Sequence, residues 1–442
     1  MQNNKSNAAA LLPLLAFLVL FIGTGIYLTS TGTEFAFYQL PAPVAILPAI
    51  VLAIWIGKEE INQKIDTFLK GVGDSNIITM CIIYLLAGGF ASVAKAIGGV
   101  ESTVNLGLSI IPASLVLPGI FMISAFISTA MGTSMGTIAA IAPIAVEVAN
   151  KTDISVAITV GAVVAGAMFG DNLSMISDTT IAATKTQGCS MKDKFKFNLL
   201  IALPAAILTI IILLIMSTNG TVSNIGGYNF LKVIPYLLIL IMALIGINVF
   251  VVLTAGIVIT GMVGFITTQG YTLLQFSKDI YGGFTGMQEI LILSLLIGGL
   301  GELIKQQGGI EFLIRVIDKI TSKFSKGGNR VKVGEFGISA VVSLADICTA
   351  NNTVAIIISG GIAKEIAEKN GVDPRRSASL LDIFSCVFQG LIPYGAQVLL
   401  AGSIAKISPI AIIPHIYYPI ILGITAIVAI ITGFPSVKQV GM

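Results

Sequence analysis

The chain has 442 residues, of which 55% are hydrophobic and only 11% are charged, and its formal net charge is +3. Soluble domains carry roughly 25% charged residues, and no soluble fold of this length could bury so much apolar surface. The composition therefore predicts a multi-pass protein surrounded by membrane lipid, and the small positive charge argues against nucleic acid as a partner.

Ten apolar segments predict membrane crossings, because a helix of about 20 apolar residues spans a hydrocarbon core about 30 Å thick. The first resembles a signal peptide behind Lys5, but it lacks an evident small-residue cleavage site and its apolar run extends to Leu28, so we interpret it as a span. The predicted crossings lie near 8–30, 41–57, 75–94, 155–184 and 197–216, and then near 231–247, 248–268, 287–304, 376–405 and 412–433.

Two further segments, 112–149 and 333–368, consist of an apolar arm, a polar tip and a second apolar arm. This pattern predicts two re-entrant hairpins, one entering from each face of the membrane. A stretch beginning at Lys95 or Lys305 precedes each hairpin. In the second copy, residues 310–324 place charges on one face and apolar side chains on the other, which predicts a helix in the interface plane.

The chain is predicted to be an internal duplication of residues 1–216 and 217–442. Subtracting 210 aligns residues 296–299 with 86–89, and small insertions raise the offset to 216 and then to 220. Because each unit has five crossings, an odd number, the second unit is expected to be inverted. The aligned pairs include Gly298 with Gly88, Lys305 with Lys95, Glu311 with Glu101, Thr353 with Thr137, Asp373 with Asp153 and Gly390 with Gly170.

The basic residues test this topology. With a cytoplasmic N-terminus, 20 of the 25 Lys and Arg residues fall inside, among them Lys5, Lys194, Lys326 and Lys438. Basic loops are retained on the cytoplasmic side. The asymmetry therefore predicts ten spans in a bacterial inner (plasma) membrane with both termini in the cytoplasm. The five residues left outside are Lys95, Lys151, Lys232, Lys278 and Lys406.

Polar residues interrupt two of the predicted spans, at Gly170–Thr180 and at Gln389–Gln397. A charge near the bilayer centre costs roughly 2.5–3.5 kcal/mol on insertion scales. Irregular backbone at that depth persists only where it is buried in protein or lines a wet cavity. The glycines and Pro393 can open the helices, so both spans are predicted to be broken helices.

Helix breaks and hairpin tips supply groups that bind small ions. Free N–H groups at half-helix N-termini attract anions, while carbonyls, Asn side chains and hydroxyls can replace the water around Na⁺. Asp171, Asp178 and Asp346 are therefore candidates for an ion or proton site, with helix capping as the alternative. Asn351 and its neighbours could likewise only cap the second arm of their hairpin.

Two other carboxylates are weaker candidates. Asp382 and Glu147 are each expected on a helix face that pairs with Arg375, Arg376 or water. The four cysteines show no metal-ligand spacing. No cofactor is predicted beyond Na⁺ or H⁺ as coupling ions.

The motif Gly170–Thr180, preceded by Gly161–Phe169, resembles the signature of the NhaC-type Na⁺/H⁺ antiporter family. More widely, paired hairpins followed by broken helices are similar to the ion transporter superfamily. That resemblance implies inverted repeats that form a scaffold domain and a mobile transport domain in an elevator-type homodimer. Met175 stands where many relatives have a proline, so the break is expected to depend on Gly170 and on local Asp and Ser side chains.

The resemblance implies that Asp171, Asn172, Ser174, Ser177, Asp178 and Thr179 lie at the substrate and ion site, opposite the hairpin tips. Na⁺ is expected to bind through Asp171, Asn172, Asp178 and Asn352. The full set of candidate ion- and substrate-binding residues is Ser128, Thr129, Gly132, Thr133, Ser134, Thr137, Gly170, Asp171, Asn172, Ser174, Ser177, Asp178, Thr179, Asp346, Thr349, Asn351, Asn352, Thr353, Gly390, Pro393, Tyr394 and Gln397.

These features predict an all-α secondary transporter rather than an enzyme. The sequence has no Gly-x-x-x-x-Gly-Lys loop for ATP, and a hydrolase would need a nucleophile and a base in register. The leading hypothesis is Na⁺/H⁺ antiport, with segments 128–137, 170–180, 346–353 and 389–397 moving against the spans near 8–57 and 231–268. The alternative is Na⁺-coupled transport or exchange of a small amino acid or organic acid, because hydroxyls and amides outnumber carboxylates at the tips.

Overall fold

The structure is a computed structural model that describes residues 6–33, 39–110, 112–175, 177–217, 226–325 and 329–435. All regular secondary structure within these ranges is helical, as the composition predicts. Ile176 of the motif, and Lys5, Lys326 and Lys438 of the predicted cytoplasmic charges, lie outside the described residues.

The helices of the two halves follow one another in a similar order. The first half contains α1 (Leu12–Ser30), α2 (Ala42–Ala45), α3 (Leu47–Ile56), α4 (Ile61–Val72), α5 (Ser75–Ala96), α6 (Gly99–Ile110), α7 (Val116–Met131), α8 (Ser134–Lys151), α9 (Val156–Leu173), α10 (Asp178–Gln187) and α11 (Met191–Ser217). The second half contains α12 (Phe230–Leu244), α13 (Val249–Thr267), α14 (Leu273–Gly286), α15 (Gln288–Gln306), α16 (Gly309–Ser325), α17 (Arg330–Thr349), α18 (Asn352–Asn370), α19 (Pro374–Gln389), α20 (Ala396–Ala405), α21 (Pro409–Ile412) and α22 (Tyr417–Thr432).

Apolar helices lie at most of the predicted crossings. Among the described residues, five segments are long and apolar enough to span a membrane, and the number rises to seven if each of two bent pairs counts as one span. The two pairs are α14 with α15, bent by 42°, and α20 with the segment Pro409–His415, bent by 98°. Shorter apolar helices lie at the predicted crossings near 41–57, 231–247 and 412–433. These helices indicate a multi-pass membrane protein, while the count of ten crossings remains a prediction.

Both predicted hairpins are pairs of helices, but their tips are shorter than predicted. Only Gly132 and Thr133 separate α7 from α8, and only Ala350 and Asn351 separate α17 from α18. The chain reverses where Gly132 and Ala350 adopt positive φ angles of 70° and 50°, which ends each first arm in a left-handed residue. The sequence motifs extend further because polar residues continue into the last helical turn.

Both predicted broken helices are also present, at 174–177 between α9 and α10 and at 390–395 between α19 and α20. The role expected of Gly170 is wrong, since α9 continues past it to Leu173. Gly170 instead permits close packing, because a Cβ there would lie 2.4 Å from the carbonyl oxygen of Ala125. The offset of 220 is also wrong here, because the C-cap residues of α9 and α19 are Ser174 and Gly390.

The helices α4 and α14 were not predicted. Each of these helices contacts a long helix of the other half, α4 against α15 and α14 against α5. The crossings are close because glycine meets glycine. A Cβ on Gly71 would lie 2.3 Å from the Gly298 oxygen, and a Cβ on Gly283 would lie 2.2 Å from the Gly88 oxygen. These contacts tie the two halves together and hold α5 and α15 beside each other.

Candidate ion and substrate site

A cavity of about 90 Å³ lies where the two hairpin tips meet the two helix breaks. It brings together polar groups that are more than 200 positions apart in the sequence, including Thr133 and Asn352. Its predicted lining residues are Gly132, Thr133, Ser134, Asp171, Ser177, Asp178, Thr179, Asn351, Asn352, Thr353 and Gln397.

Asp171 is the buried carboxylate of this cavity. It is 7% exposed, and each of its oxygens accepts a hydroxyl, from Ser177 at 2.6 Å and from Ser134 at 2.8 Å. The backbone of Ser134 also hydrogen-bonds this carboxylate, so Asp171 on α9 caps the start of α8. Capping and ion binding are thus compatible, because the same carboxylate fixes the hairpin tip and faces the cavity.

A chain of hydrogen bonds continues from Asp171 to the second repeat. Gln397 at the start of α20 donates to the Ser134 hydroxyl at 3.1 Å. Gln389 at the end of α19 donates to Gln397 at 2.8 Å and to the carbonyl of Ala350 at 3.2 Å. Both hairpin tips and both breaks therefore belong to one connected polar network. Displacement of one tip would change the hydrogen bonds made by the other tip and by the breaks.

Asp178 differs from Asp171 in its surroundings. It begins α10, lines the same cavity and is exposed. Ser177 joins the two environments, because its hydroxyl donates to Asp171 and lies 2.8 Å from the Thr179 hydroxyl. The cavity thus has one buried and one accessible carboxylate.

Asn172 does not line this cavity, contrary to its predicted role as a Na⁺ ligand. Its side-chain amide donates to Asp382 at 3.0 Å, and its backbone carbonyl accepts the Lys194 ammonium at 3.0 Å. The reason is helical geometry: α9 is still regular at Asn172, so consecutive side chains point about 100° apart. Asp171 therefore faces the cavity while Asn172 faces α11 and α19.

A second buried network surrounds Asp382. The Lys194 ammonium lies 2.5 Å from Asp382 Oδ2, and both side chains are 1% exposed. Lys194 also donates to the Thr180 hydroxyl at 2.7 Å, and Asn198 donates to Asp382 at 2.7 Å. Lys194 is therefore a buried counter-charge rather than part of a basic cytoplasmic loop.

The pairing suggested for Asp382 with an arginine is wrong. Arg375 pairs with Asp373, and Arg376 pairs with Glu335 at 3.1 Å. No sequence pattern indicates this role for Lys194, because a lysine near the start of an apolar helix is ordinarily a membrane-edge charge.

Asp346 is fully buried and lies in the last turn of α17. Neither of its side-chain oxygens has a hydrogen-bond partner among the described residues. It does not line the 90 Å³ cavity. An isolated buried carboxylate charge is costly, so Asp346 differs in kind from the hydroxyl-bonded Asp171 and the lysine-paired Asp382.

Several of the remaining predicted residues lie outside the cavity lining and hydrogen-bond the backbone of neighbouring elements. Ser128 donates to the Ala167 carbonyl at 2.6 Å, and Ser174 donates to the Thr129 carbonyl at 2.9 Å. Tyr394 donates to the Ile347 carbonyl at 2.7 Å, which attaches the second break to the second hairpin. The predicted residues outside the cavity lining are Ser128, Thr129, Thr137, Gly170, Asn172, Ser174, Asp346, Thr349, Gly390, Pro393 and Tyr394.

Six lining residues were not among the predicted set, and four of them lie on α5. Their positions follow i, i+3, i+4 and i+7, which is one face of a helix. The polar residues at the start of that face indicate that α5 borders a polar site, although this wall was not predicted. The six are Asn76, Thr79, Met80, Ile83, Met135 and Gln389.

Comparison with known proteins agrees with this architecture. The family model described as "Na+/H+ antiporter family" matches residues 7–218. The Na⁺/H⁺ antiporter NhaC of Bacillus subtilis is 24% identical over 435 residues, which cover 90% of this chain and 92% of the relative. NhaC of Alkalihalophilus pseudofirmus is 24% identical over 415 residues, covering 86% and 87%.

A third relative has a different named substrate. The malate-2H⁺/Na⁺-lactate antiporter of Bacillus subtilis is 22% identical over 460 residues, which cover 96% of this chain and 95% of the relative. The three relatives are alike in being antiporters and in matching almost the whole chain. The motif at 170–180 and the match over residues 7–218 make the first half of the chain similar to the Na⁺/H⁺ antiporter family, and the two NhaC relatives extend that similarity over most of its length.

Proposed function

We propose that this protein exchanges Na⁺ for protons across the bacterial inner membrane by an elevator mechanism. The observation that carries the proposal is the cavity in which Asp171 and Asp178 meet oxygen and amide groups from both hairpin tips and both helix breaks. Proteins of this family are antiporters rather than enzymes.

The size of the cavity supports an inorganic cation as substrate. Its volume is about 90 Å³, whereas pockets for drug-sized organic ligands measure roughly 300–1,000 Å³. Backbone carbonyls, hydroxyls and carboxylates are also the hard oxygen ligands that group I and II cations take. The volume therefore excludes bulky organic substrates, and the oxygen-rich lining favours Na⁺.

Competition at one carboxylate supplies the coupling. Among the described residues, Asp171 accepts hydrogen bonds from the hydroxyls of Ser177 and Ser134 and from the backbone of Ser134. A Na⁺ ion and a proton would each neutralise that carboxylate, and they cannot both occupy the same oxygen. Binding one releases the other, which is what an exchanger requires.

One observation favours the alternative, an exchanger of small organic acids. The helices α10 and α20 both begin at the cavity, and their N-cap residues Ser177 and Gly395 make no side-chain cap hydrogen bond. Unbonded N–H groups at helix N-termini attract carboxylates. The nearby carboxylates of Asp171 and Asp178 oppose a second negative charge, and for that reason we place Na⁺/H⁺ exchange first.

The two halves are proposed to be inverted repeats. The equivalent elements pack reciprocally, α4 on α15 and α14 on α5, with a glycine pair at each crossing. In this arrangement α5 and α15 belong to the scaffold, while the hairpins and broken helices form the mobile domain. The charge distribution of the loops supports cytoplasmic termini, and the homodimer implied by the resemblance remains a prediction.

Purified protein in proteoliposomes tests this function. We expect Na⁺ to dissipate an imposed pH gradient, and we expect no uptake of labelled lactate, malate or arginine under the same gradient. Asp171→Asn should abolish Na⁺-dependent proton flux while the protein still elutes as folded material in size exclusion. Wild-type proteoliposomes that accumulate an organic acid but leave the pH gradient intact would replace the proposal by its alternative.

A further inference from the structure

One wall of the site cavity comes from α5 and not from the hairpins or breaks. It consists of Asn76, Thr79, Met80 and Ile83. The offset of 210 that pairs Lys95 with Lys305 assigns to each of these residues an equivalent near the start of α15. The equivalents are Gly286, Glu289, Ile290 and Leu293.

All four equivalents line a second, separate cavity of about 120 Å³. The other side of this cavity is formed in part by α20, at Leu399, Gly402 and Ser403. The same face of the two repeat-related helices therefore borders a cavity in each half. Only the cavity beside α5 contains the hairpin tips and breaks in this structure.

The contacts between α5 and α15 indicate how these two cavities are related. The Tyr84 hydroxyl lies 3.2 Å from the Ser294 hydroxyl, and the Cys81 thiol lies 3.8 Å from the Leu291 carbonyl oxygen. Each contact joins residues that are 210 positions apart. A residue that touches its own repeat equivalent lies close to the internal two-fold axis. That axis passes between α5 and α15 and exchanges the two walls.

We propose that Gly286, Glu289, Ile290 and Leu293 form the wall of the substrate site in the opposite-facing state, and that Glu289 makes that wall selective for a cation. This inference depends on the elevator function proposed above. Repeats with the same local structure can exchange conformations, so contacts made by one wall in one state are made by its equivalent in the other.

The contacts of α20 give the size of the movement. Gln397 lines the site, while Ser403, further along the same helix, donates to the Gly286 carbonyl at 3.2 Å. To bring Gln397 to the level now held by Ser403, the helix must slide by about 9 Å along its axis, at about 1.5 Å per residue. The Ser403 hydrogen bond must break during this step.

The two walls differ in charge. Asn76, Thr79, Met80 and Ile83 are neutral, whereas Glu289 is an exposed carboxylate. Lys406, at the end of α20, lines the cavity beside Glu289 in the present state. Because Lys406 belongs to the mobile helix, it moves away with α20 and leaves the carboxylate to face the arriving site. A lone carboxylate attracts Na⁺ and repels an organic anion.

Cysteine cross-linking tests the position of the wall. In a transport-competent background with the four native cysteines replaced, we expect Asn352→Cys to cross-link with Thr79→Cys in one state and with Glu289→Cys in the other. Gln288→Cys is the control, because Gln288 adjoins Glu289 but does not line the cavity. A cross-link with Thr79→Cys, together with none to Glu289→Cys under Na⁺ gradients of either direction, would overturn the inference, while Na⁺/H⁺ exchange by the wild-type protein in proteoliposomes would leave the transport function standing.

Sided transport measurements test the charge. We expect Glu289→Gln to raise the Na⁺ concentration for half-maximal exchange by about tenfold on one face of the membrane, with little change on the other face. Asp279→Asn on α14 is the matched control, because Asp279 is bonded to Tyr271 and Gln275 instead of lining either cavity. A carboxylate that only stabilises the start of α15 would change both faces equally or change the yield, and that result refutes the selective role.

Discussion

Two buried aspartates should lose very different amounts of stability on the same substitution. Asp346 and Asp382 are each fully buried. Asp382 accepts the Lys194 ammonium and the amides of Asn172 and Asn198, all on Oδ2. Neither oxygen of Asp346 has a partner among the described residues. Replacement of each by asparagine removes one carboxylate and hardly changes side-chain volume. Any difference in the free energy of unfolding between the two variants therefore comes from the partners of the two carboxylates.

The expected change in the free energy of unfolding depends on whether a charged partner remains unpaired when the carboxylate is removed. Asp382→Asn strands the Lys194 ammonium in a site that is 1% exposed, and loss of one member of a buried ion pair costs about 3–5 kcal/mol. Asp346→Asn strands no charge. We therefore expect its free energy of unfolding to change by less than about 1 kcal/mol, within the range of substitutions that break no buried network.

The measurement is the free energy of unfolding in mixed micelles, followed by circular dichroism during a denaturant titration. Lys194→Met combined with Asp382→Leu is the check, because removal of both charges should cost less than removal of either one. Lys70→Met is the exposed control: Lys70 pairs with Glu302 while its own side chain is 75% exposed, and such pairs contribute at most about 1 kcal/mol. Equal losses for Asp346→Asn and Asp382→Asn would refute this account of the two networks.

Three further outcomes follow from the structure. Asp178→Asn should weaken the Na⁺ dependence of exchange without abolishing it, because the accessible Asp178 lines the cavity while Asp171 keeps its hydroxyl partners. Unchanged kinetics would show that Asp178 only stabilises the start of α10. Ser134→Ala should raise the Na⁺ concentration for half-maximal exchange several-fold, measured in proteoliposomes, since Ser134 links Asp171 to Gln397. Gly88→Ala should destabilise the fold by about 1–3 kcal/mol through overpacking, because its Cβ would lie 2.3 Å from the carbonyl oxygen of Gly283 on the crossing helix. Gly107→Ala is the control, because a Cβ at Gly107 would meet no atom within 4 Å.

The sequence predicted the positions of the hairpins and breaks well because each is marked by local composition. The pairs Gly132-Thr133 and Ala350-Asn351 interrupt apolar arms, and polar residues inside an apolar helix need an aqueous or protein-lined environment. The exact extent of each break was not predictable, since helical hydrogen bonding continues through residues such as Gly170 and Asn172 whose types favour a break but do not require one.

Contacts between distant elements were harder to predict. The partner of Asp382 lies on α11 and the partner of Asp171 lies on α8, and neither pairing leaves a spacing pattern in a single sequence. The amphipathic helices α4 and α14 were missed for a different reason: they are short segments between spans, and they are identified by their glycine crossings with α15 and α5. Local sequence patterns thus indicate the helices and breaks, whereas tertiary packing determines which side chains are in contact.

The contrast between Asp171 and Asp382 also explains why only one of them suits a transported ion. Asp382 is already neutralised by the Lys194 ammonium at 2.5 Å, and both side chains are 1% exposed. Asp171 is held by the hydroxyls of Ser134 and Ser177, and a hydroxyl can turn from donor to acceptor by rotating one bond. When Na⁺ arrives, the two serines can direct their lone pairs at the cation while the carboxylate keeps its charge. When Na⁺ leaves and a proton takes its place, the same hydroxyls can accept or donate as required. A site that must exchange two cations repeatedly needs partners that reverse in this way. The protein places its fixed counter-charge, Lys194, on α11, where it donates to the carbonyl of Asn172 at the end of α9 and does not line the cavity of Asp171.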